Sequence, residues 1–326
     1  MDIAKIWVTV VLVAGCIGCS TQELLPDFYR ETCPWVENVV RFVVKSRVLK
    51  QPHVAAQLLR LHFHDCFVQG CDGSVLLDNQ GAIISEKGAD PNLNSLRGFD
   101  VIDEIKAAVE EACPLTVSCA DILAIAARDS VVLRGGPGWQ VLLGRRDSLT
   151  ASFTGANTFI PTPNLSLEAL IASFQLQGLD IEDLVALSGA HTLGVARCVS
   201  FRQRIYDTGF EENLYERYSG FRKSLASICP ISGNDNQKTP LDYRTPAFFD
   251  NYYYQNIIES KGLLHTDNVL VNEDETGEIE ERVWAYARNT DLFFESFANS
   301  MVKMGNIKVL VGDEGQIREN CRFVNV

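Results

Sequence analysis

Arg60 and His64 stand four residues apart in the run Leu59-Arg60-Leu61-His62-Phe63-His64-Asp65-Cys66-Phe67-Val68. On a helix that spacing puts both side chains on one face, whereas His62, two positions from each, points away. A guanidinium beside an imidazole suits chemistry that moves a proton while stabilising a departing anion. A zinc-binding His-x-His pair does not fit, because helical geometry separates His62 from His64. The plain alternative is a solvated arginine and a hydrogen-bonded histidine on an ordinary helix face. Only five histidines occur, His53, His62, His64, His191 and His265, so each neighbourhood is informative.

The residues that follow read Asp65-Cys66-Phe67-Val68-Gln69-Gly70-Cys71-Asp72-Gly73-Ser74. Asp65, Asp72 and Ser74, with loop carbonyls, make a dense set of hard oxygens. Calcium takes about six to eight such oxygens on a flexible loop, and a Cys66–Cys71 bridge would close this one tightly. A solvated acidic turn is the competing reading. Farther along, His191 lies in Ser188-Gly189-Ala190-His191-Thr192. It falls on the helical face of Leu184 and Leu187 with small residues beside it, a flat apolar platform carrying one nitrogen ligand, as a planar macrocycle needs. A histidine on an apolar face can equally be an ordinary core residue.

Helices must position these groups. Pro34–Gln51 carries Val39, Val40, Val43 and Val44 and stops at Pro52, and His53 to about Val68 repeats Val54, Leu58 and Leu61 at helical period. Val101, Ile105, Ala108 and Ala112 repeat likewise before Pro114. Ser118 can cap a helix through Ala127, and Ser166–Gln177 ends at Gly178. Asp180 caps a helix through Leu184, Leu187 and His191; later helices span about Phe248–Lys261 and Asp291–Met304. Strand signals are few and short, Gln140–Leu143 being the best. With no repeat, linker or clear boundary, the chain reads as one mostly α-helical unit.

Composition sets the compartment. The chain has 326 residues, 46% hydrophobic, and a net charge of −13, which disfavours nucleic acid and anionic membrane surfaces as partners. Residues 1–22 have the layout of a cleavable signal peptide: Met-Asp-Ile-Ala-Lys, an apolar run from Ile6 to Ile17, then small residues. The run is too short for a comfortable span of ~20 apolar residues. Cys16 and Cys19 fall in that leader. The remaining eight cysteines, with no C-x-x-C pair among them, imply four disulfides in a secreted chain, with the pairing left open.

Three segments, Leu59–Val68, Leu187-Ser188-Gly189-Ala190-His191-Thr192-Leu193-Gly194 and Leu241-Asp242-Tyr243-Arg244-Thr245-Pro246, strongly resemble the class III secretory plant peroxidases. The resemblance runs from about Phe28 to Cys321. It implies a two-lobed α-helical fold over residues 23–326, with one haem b between the lobes. It also implies a monomer in the extracellular space, or apoplast, that reduces hydrogen peroxide while oxidising phenolic and other small aromatic donors by single electrons. By the same resemblance, Arg60 and His64 are the distal pair, Phe63 the distal aromatic, and Asn92, with Glu86 behind it, orients His64. His191 is the axial ligand, backed by Asp267.

Two calcium ions are implied as well: one at Asp65, Val68, Gly70, Asp72 and Ser74, the other at Thr192, Asp242, Thr245, Phe248 and Asp250. The implied disulfides are Cys33–Cys113, Cys66–Cys71, Cys119–Cys321 and Cys198–Cys229. Pro161 matches the carbonyl that meets donors at the haem edge, and Asp121 and Arg145 match a buried structural ion pair. Gly73 and Phe248 depart from the usual pattern without removing a side-chain ligand, and the region around Val199 and Ser200 is variable, so donor preference does not carry over. Asn164-Leu165-Ser166 is the single N-x-S/T sequon and an expected glycosylation site. A haem carrier would not need Arg60 beside His64, and a wall protein with a decayed site would not keep every matched polar residue.

Overall fold

The computed structural model describes residues 23–206 and 215–326; the expected signal peptide lies outside them. Helix α1 (Val36–Lys50) turns Val36, Val40, Val43, Val44 and Val48 inward. Helix α2 (Val54–Cys66) carries Arg60 and His64, and α3 (Phe99–Ala112) follows a long loop. Helix α4 (Cys119–Leu133) begins at Ser118, whose Oγ accepts from the Asp121 amide at 3.1 Å and so satisfies one of the unpaired N–H groups of the first turn. It is apolar on most sides, with Ile122, Leu123 and Ile125 fully buried, because α1, α2 and α3 all pack against it.

Short helix α5 (Phe153–Phe159) leads to α6 (Leu167–Leu176) and α7 (Ile181–Ser188). The chain then tightens into a 3₁₀ turn over Gly189–Thr192. Strand β1 (Val195–Arg197) pairs antiparallel with β2 (Lys238–Pro240), Ala196 facing Thr239. Between them lie α8 (Arg202–Tyr206) and α9 (Tyr215–Ile228). The remaining helices are α10 (Tyr252–Ile258), α11 (His265–Asn272), α12 (Glu278–Arg288) and α13 (Thr290–Gly305). Here α7 packs on α13 and α10 on α12, around Phe249, Tyr254, Tyr286, Phe293 and Phe297; α13 also reaches α2 and joins the two halves.

Four disulfides close the chain: Cys33–Cys113, Cys66–Cys71, Cys119–Cys321 and Cys198–Cys229. The third spans 202 residues and fastens the first residue of α4 to the C-terminal segment.

The structure departs from the sequence pattern in three places. The helix expected to run through His191 ends at Ser188. Gln140–Leu143 is not a strand; Leu143 makes a single bridge to Leu25. The helix expected from Phe248 begins at Tyr252, because the 248–251 stretch turns its oxygens toward Thr192 and Thr245. Helices α5, α8, α9, α11 and α12 lie outside those expected from the sequence, although α12 repeats Ile279, Val283, Tyr286 and Ala287 at helical period.

Candidate active site

Helix α2 projects Arg60 and His64 from one face, and the loop after the 3₁₀ turn Glu86–Gly88 holds both. Arg60 donates through Nη2 to the Pro91 carbonyl at 2.9 Å and to Ser95 Oγ at 3.2 Å. Between those anchors lies Asn92, whose Oδ1 is 2.5 Å from His64 Nδ1 and whose Nδ2 donates to the Glu86 backbone carbonyl at 2.8 Å. With its NH₂ end fixed by a carbonyl, Asn92 must present oxygen to His64. His64 Nδ1 therefore carries the hydrogen, and the neutral ring keeps its lone pair on Nε2. Burial, and then the Arg60 charge, hold His64 well below the ordinary histidine value, against the opposing pull of Asn92. Phe63 lies edge-on to His64, with ring centres 5.5 Å apart. His62 points elsewhere: it is buried beside Cys66 and pushed down to about 3 by burial and by Arg145.

A second histidine is held in the same way. His191 Nδ1 lies 2.7 Å from Asp267 Oδ1. Asp267 is buried near the start of α11, where its Oδ2 accepts from the Leu264 amide at 2.8 Å and its Oδ1 also accepts from the Tyr253 hydroxyl at 3.3 Å. The His191 side chain is 36% exposed, so its Nε2 stays available while Nδ1 is committed. Gly189 makes the turn possible: a Cβ there would collide with the Tyr254 hydroxyl and the Phe293 ring. An imidazole with one nitrogen fixed by a buried carboxylate and the other free is the donor set that axial haem ligation requires.

Two oxygen clusters flank these histidines. In the first, the Gly73 and Val75 amides donate to Asp65 at 2.9 and 3.3 Å, and the Ser74 amide donates to Asp72 at 3.0 Å. Ser74 Oγ and Glu86 Oε2 are buried without a hydrogen-bond partner. Burial raises Asp65 well above the carboxylate range, reinforced by Asp72, and pushes Asp72 up to about 6 and Glu86 to about 7. Crowded buried carboxyls with an orphaned hydroxyl suit a hard divalent cation. Val68 is buried, and Gly70 adopts φ +127°, where a Cβ would meet the Lys308 carbonyl.

In the second cluster, Thr192 Oγ1 lies 3.4 Å from Asp242 Oδ2, 3.4 Å from the Phe248 carbonyl and 3.2 Å from Asp250 Oδ1. Thr245 Oγ1 approaches the same two carboxylates at 3.2 and 3.1 Å. His62, Cys66 and Cys71 also gather, but both sulfurs are spent in a disulfide, so that group offers a cation a single imidazole.

The Asp121–Arg145 pair is buried at 2.8 Å. Pro161, half-buried, and Asn164, exposed, stand outside these hydrogen-bonded groups. Their loop is tied to α11 where the Thr266 amide donates to the Pro163 carbonyl at 3.2 Å. Two residues carry no warning in the sequence. Burial, and then the charge of Arg197 on β1, lower Arg60 to about 10. Tyr253, within the run Tyr252-Tyr253-Tyr254, touches the carboxylate behind His191.

A family model described as Peroxidase matches residues 40–289. Peroxidase 20 of Arabidopsis thaliana is 60% identical over 330 residues, covering 99% of this chain and 98% of that protein. Peroxidase 4 of Vitis vinifera is 54% identical over 310 residues, with 94% of each covered, and Peroxidase 9 of Arabidopsis thaliana is 53% identical over 311, covering 94% and 89%. A match of that length across a helical fold of this kind leaves one assignment: the chain belongs to the class III plant peroxidases, haem-binding enzymes that oxidise small donors with hydrogen peroxide.

Proposed function

We propose that His191 would hold a haem b, that Arg60 and His64 would carry the proton and charge of hydrogen peroxide cleavage, and that phenolic and other small aromatic donors would give up single electrons near Pro161. The observation that carries this reading is the matched pair of imidazoles, each fixed through Nδ1 by a buried acceptor and each left with Nε2 free. Haem, when bound, supplies the redox chemistry that accepts two oxidising equivalents from peroxide and returns them one at a time.

The chain's own residues handle protons and charge. His64 Nε2 takes the proton from one peroxide oxygen and gives it to the other, so that water departs. Arg60, fixed by Pro91 and Ser95, directs its remaining N–H groups at the negative charge that grows as the O–O bond breaks. Asn92 keeps His64 in the tautomer that can accept. Asp267 makes His191 a stronger donor and fixes its ring plane. Phe63 crowds the distal side, so donors are met at the edge and specificity stays broad.

Calcium ions held by Asp65, Val68, Gly70, Asp72 and Ser74, and by Thr192, Asp242, Thr245, Phe248 and Asp250, would brace the two histidine segments, since Asp65 follows His64 and Thr192 follows His191 directly. Among the described residues no helix is long and apolar enough to cross a membrane. The four disulfides and the leader at residues 1–22 support secretion to the apoplast. The sequon Asn164-Leu165-Ser166 supports a glycan on Asn164, and a monomer follows from the family resemblance. The test is electron stoichiometry. The haem-loaded protein should yield two phenoxyl radicals per peroxide consumed; a single two-electron product per peroxide would refute the reading.

A further inference from the structure

Helices α1 and α4 and the loop after α4 enclose a surface cleft of about 510 Å³ whose lining includes Glu37, Asn38, Arg41, Arg128, Asp129 and Trp139. None of these residues belongs to the two histidine sites or the oxygen clusters. Asp129 is 0% exposed. Its Oδ1 accepts from Arg128 Nε at 2.7 Å, whereas its Oδ2 is buried with no hydrogen-bond partner. Arg128 is fully committed: Nη2 donates to Glu37 at 2.8 Å and Nη1 to the Trp139 carbonyl at 3.4 Å. Arg41 holds the carboxylate more loosely. Its Nη1 reaches Asp129 Oδ1 at 3.5 Å, the limit of a hydrogen bond, and its side chain is 49% exposed. A buried acceptor left unpaired costs stability, and this one becomes reachable as the weak Arg41 contact yields.

Aromatic residues border the cleft. Trp139 lines it and is held edge-on to Phe297, with ring centres 6.0 Å apart. On the other wall Trp35, the N-cap of α1, and Phe42 are 68% and 76% exposed. They stand three residues before and four after Asn38, a spacing that puts all three on one face of the helix, and Asn38 itself lines the cleft. We propose that the cleft and this aromatic row bind a neutral sugar chain, with one ring seated in the cleft and neighbouring rings lying along Trp35 and Phe42.

Three properties of the lining select that ligand. A sugar hydroxyl both donates and accepts, so one group can give its hydrogen to Asp129 Oδ2 and take one from Arg41, replacing the long contact between them. The side-chain amides of Asn38 and Gln140, which also line the cleft, do both as well. Sugar rings present apolar C–H faces that pack on indole and phenyl rings; water filling the cleft would leave the exposed Trp35 and Phe42 without a role. The formal charges of the lining cancel, Arg41 and Arg128 against Glu37 and Asp129, which favours an uncharged chain. A polyanionic one would meet those carboxylates on a protein of net charge −13. Because the cleft shares no residue with the catalytic groups, a chain held there leaves them open to peroxide and small donors.

The experiment titrates the purified, haem-loaded protein with cellohexaose in a calorimeter, with hexagalacturonate as the anionic probe and ferulate as the phenolic one. The parent should bind cellohexaose. Arg41→Ala should weaken that binding at least about tenfold, the loss expected of a charge-assisted hydrogen bond, and Phe42→Ser should weaken it as well. Ile231→Ser, which removes an apolar side chain that is 70% exposed in the segment before β2, should bind as the parent does. All three variants should oxidise a small phenol with hydrogen peroxide at the parent's rate, which reports that they are folded and that the cleft stands apart from the haem site. If Arg41→Ala does not fold, Asn38→Ala takes its place. A parent that does not bind cellohexaose overturns the proposal, as does binding that the α1 variants leave intact. Hexagalacturonate or ferulate bound in preference to cellohexaose, and lost in the α1 variants, overturns the choice of a neutral sugar.

Discussion

Replacing Asn92 by alanine removes the one contact that sets the His64 tautomer. His64 is 3% exposed, and its Nδ1 meets Asn92 Oδ1 at 2.5 Å. Losing that acceptor strands a buried N–H, at a cost of ~1–3 kcal/mol in stability. It also lets the hydrogen settle on Nε2, where the ring no longer accepts a proton. Each ~1.4 kcal/mol of lost preference lowers the competent population about tenfold, so the reaction with peroxide should slow by about 10- to 100-fold. Stopped-flow absorbance of the haem-loaded variant measures it. Because Asn92 acts only through His64, Asn92→Ala combined with His64→Leu should be no slower than His64→Leu alone, a non-additivity expected of residues in one network. Additive losses would show that Asn92 works by another path, and an unchanged Asn92→Ala rate would refute the tautomer argument outright.

Calcium removal, verified by metal analysis, should lower both peroxidase activity and melting temperature. Restoring calcium to about a hundredfold above its Kd should return about 2.7 kcal/mol of stability for each of the two sites; full loss of metal with neither quantity changed would contradict the bracing role. Arg145→Met leaves Asp121 buried against only the Tyr29 hydroxyl and the backbone amides of Gly144 and Arg145. It should cost ~3–5 kcal/mol in denaturant titration while leaving the peroxide rate of the folded fraction alone. His191→Ala should alter the resting haem spectrum or weaken haem retention, and an unchanged spectrum would remove it as the ligand. Protein from a secretory host should carry a glycan mass on the Asn164 peptide; an unmodified peptide would exclude that role for the sequon.

The distal half of the site was legible because its parts are local. Arg60 and His64 share one helix, so period alone places them on a common face, and Asp65 to Ser74 bring their oxygens within ten residues of chain. The proximal half was not. Asp242, Thr245 and Asp250 lie in one short segment, but Thr192 reaches them from 50 residues earlier in the chain, and that packing is what assembles the cluster; only the family motifs pointed to these residues. The helical period through His191 misled for a similar reason. Gly189 must fit against Tyr254 and Phe293 from α10 and α13, and that tertiary contact, not local propensity, accompanies the tightening of the turn. Arg197 is a lone arginine on a three-residue strand, and its electrostatic effect on Arg60 exists only in the folded chain.

The central claim, that His64 is the base for peroxide cleavage, is tested most directly by the rate at which haem-loaded His64→Leu reacts with hydrogen peroxide in the stopped-flow instrument. Leucine fills the same buried position of α2 and removes the imidazole, with its Nε2 proton acceptor and its Nδ1–H bond to Asn92. Its resting spectrum should match the parent, since His191 is untouched, while its reaction slows by at least ~10²-fold, the usual loss with a general base. A His64→Leu variant that binds haem and reacts with peroxide as fast as the parent would contradict the account.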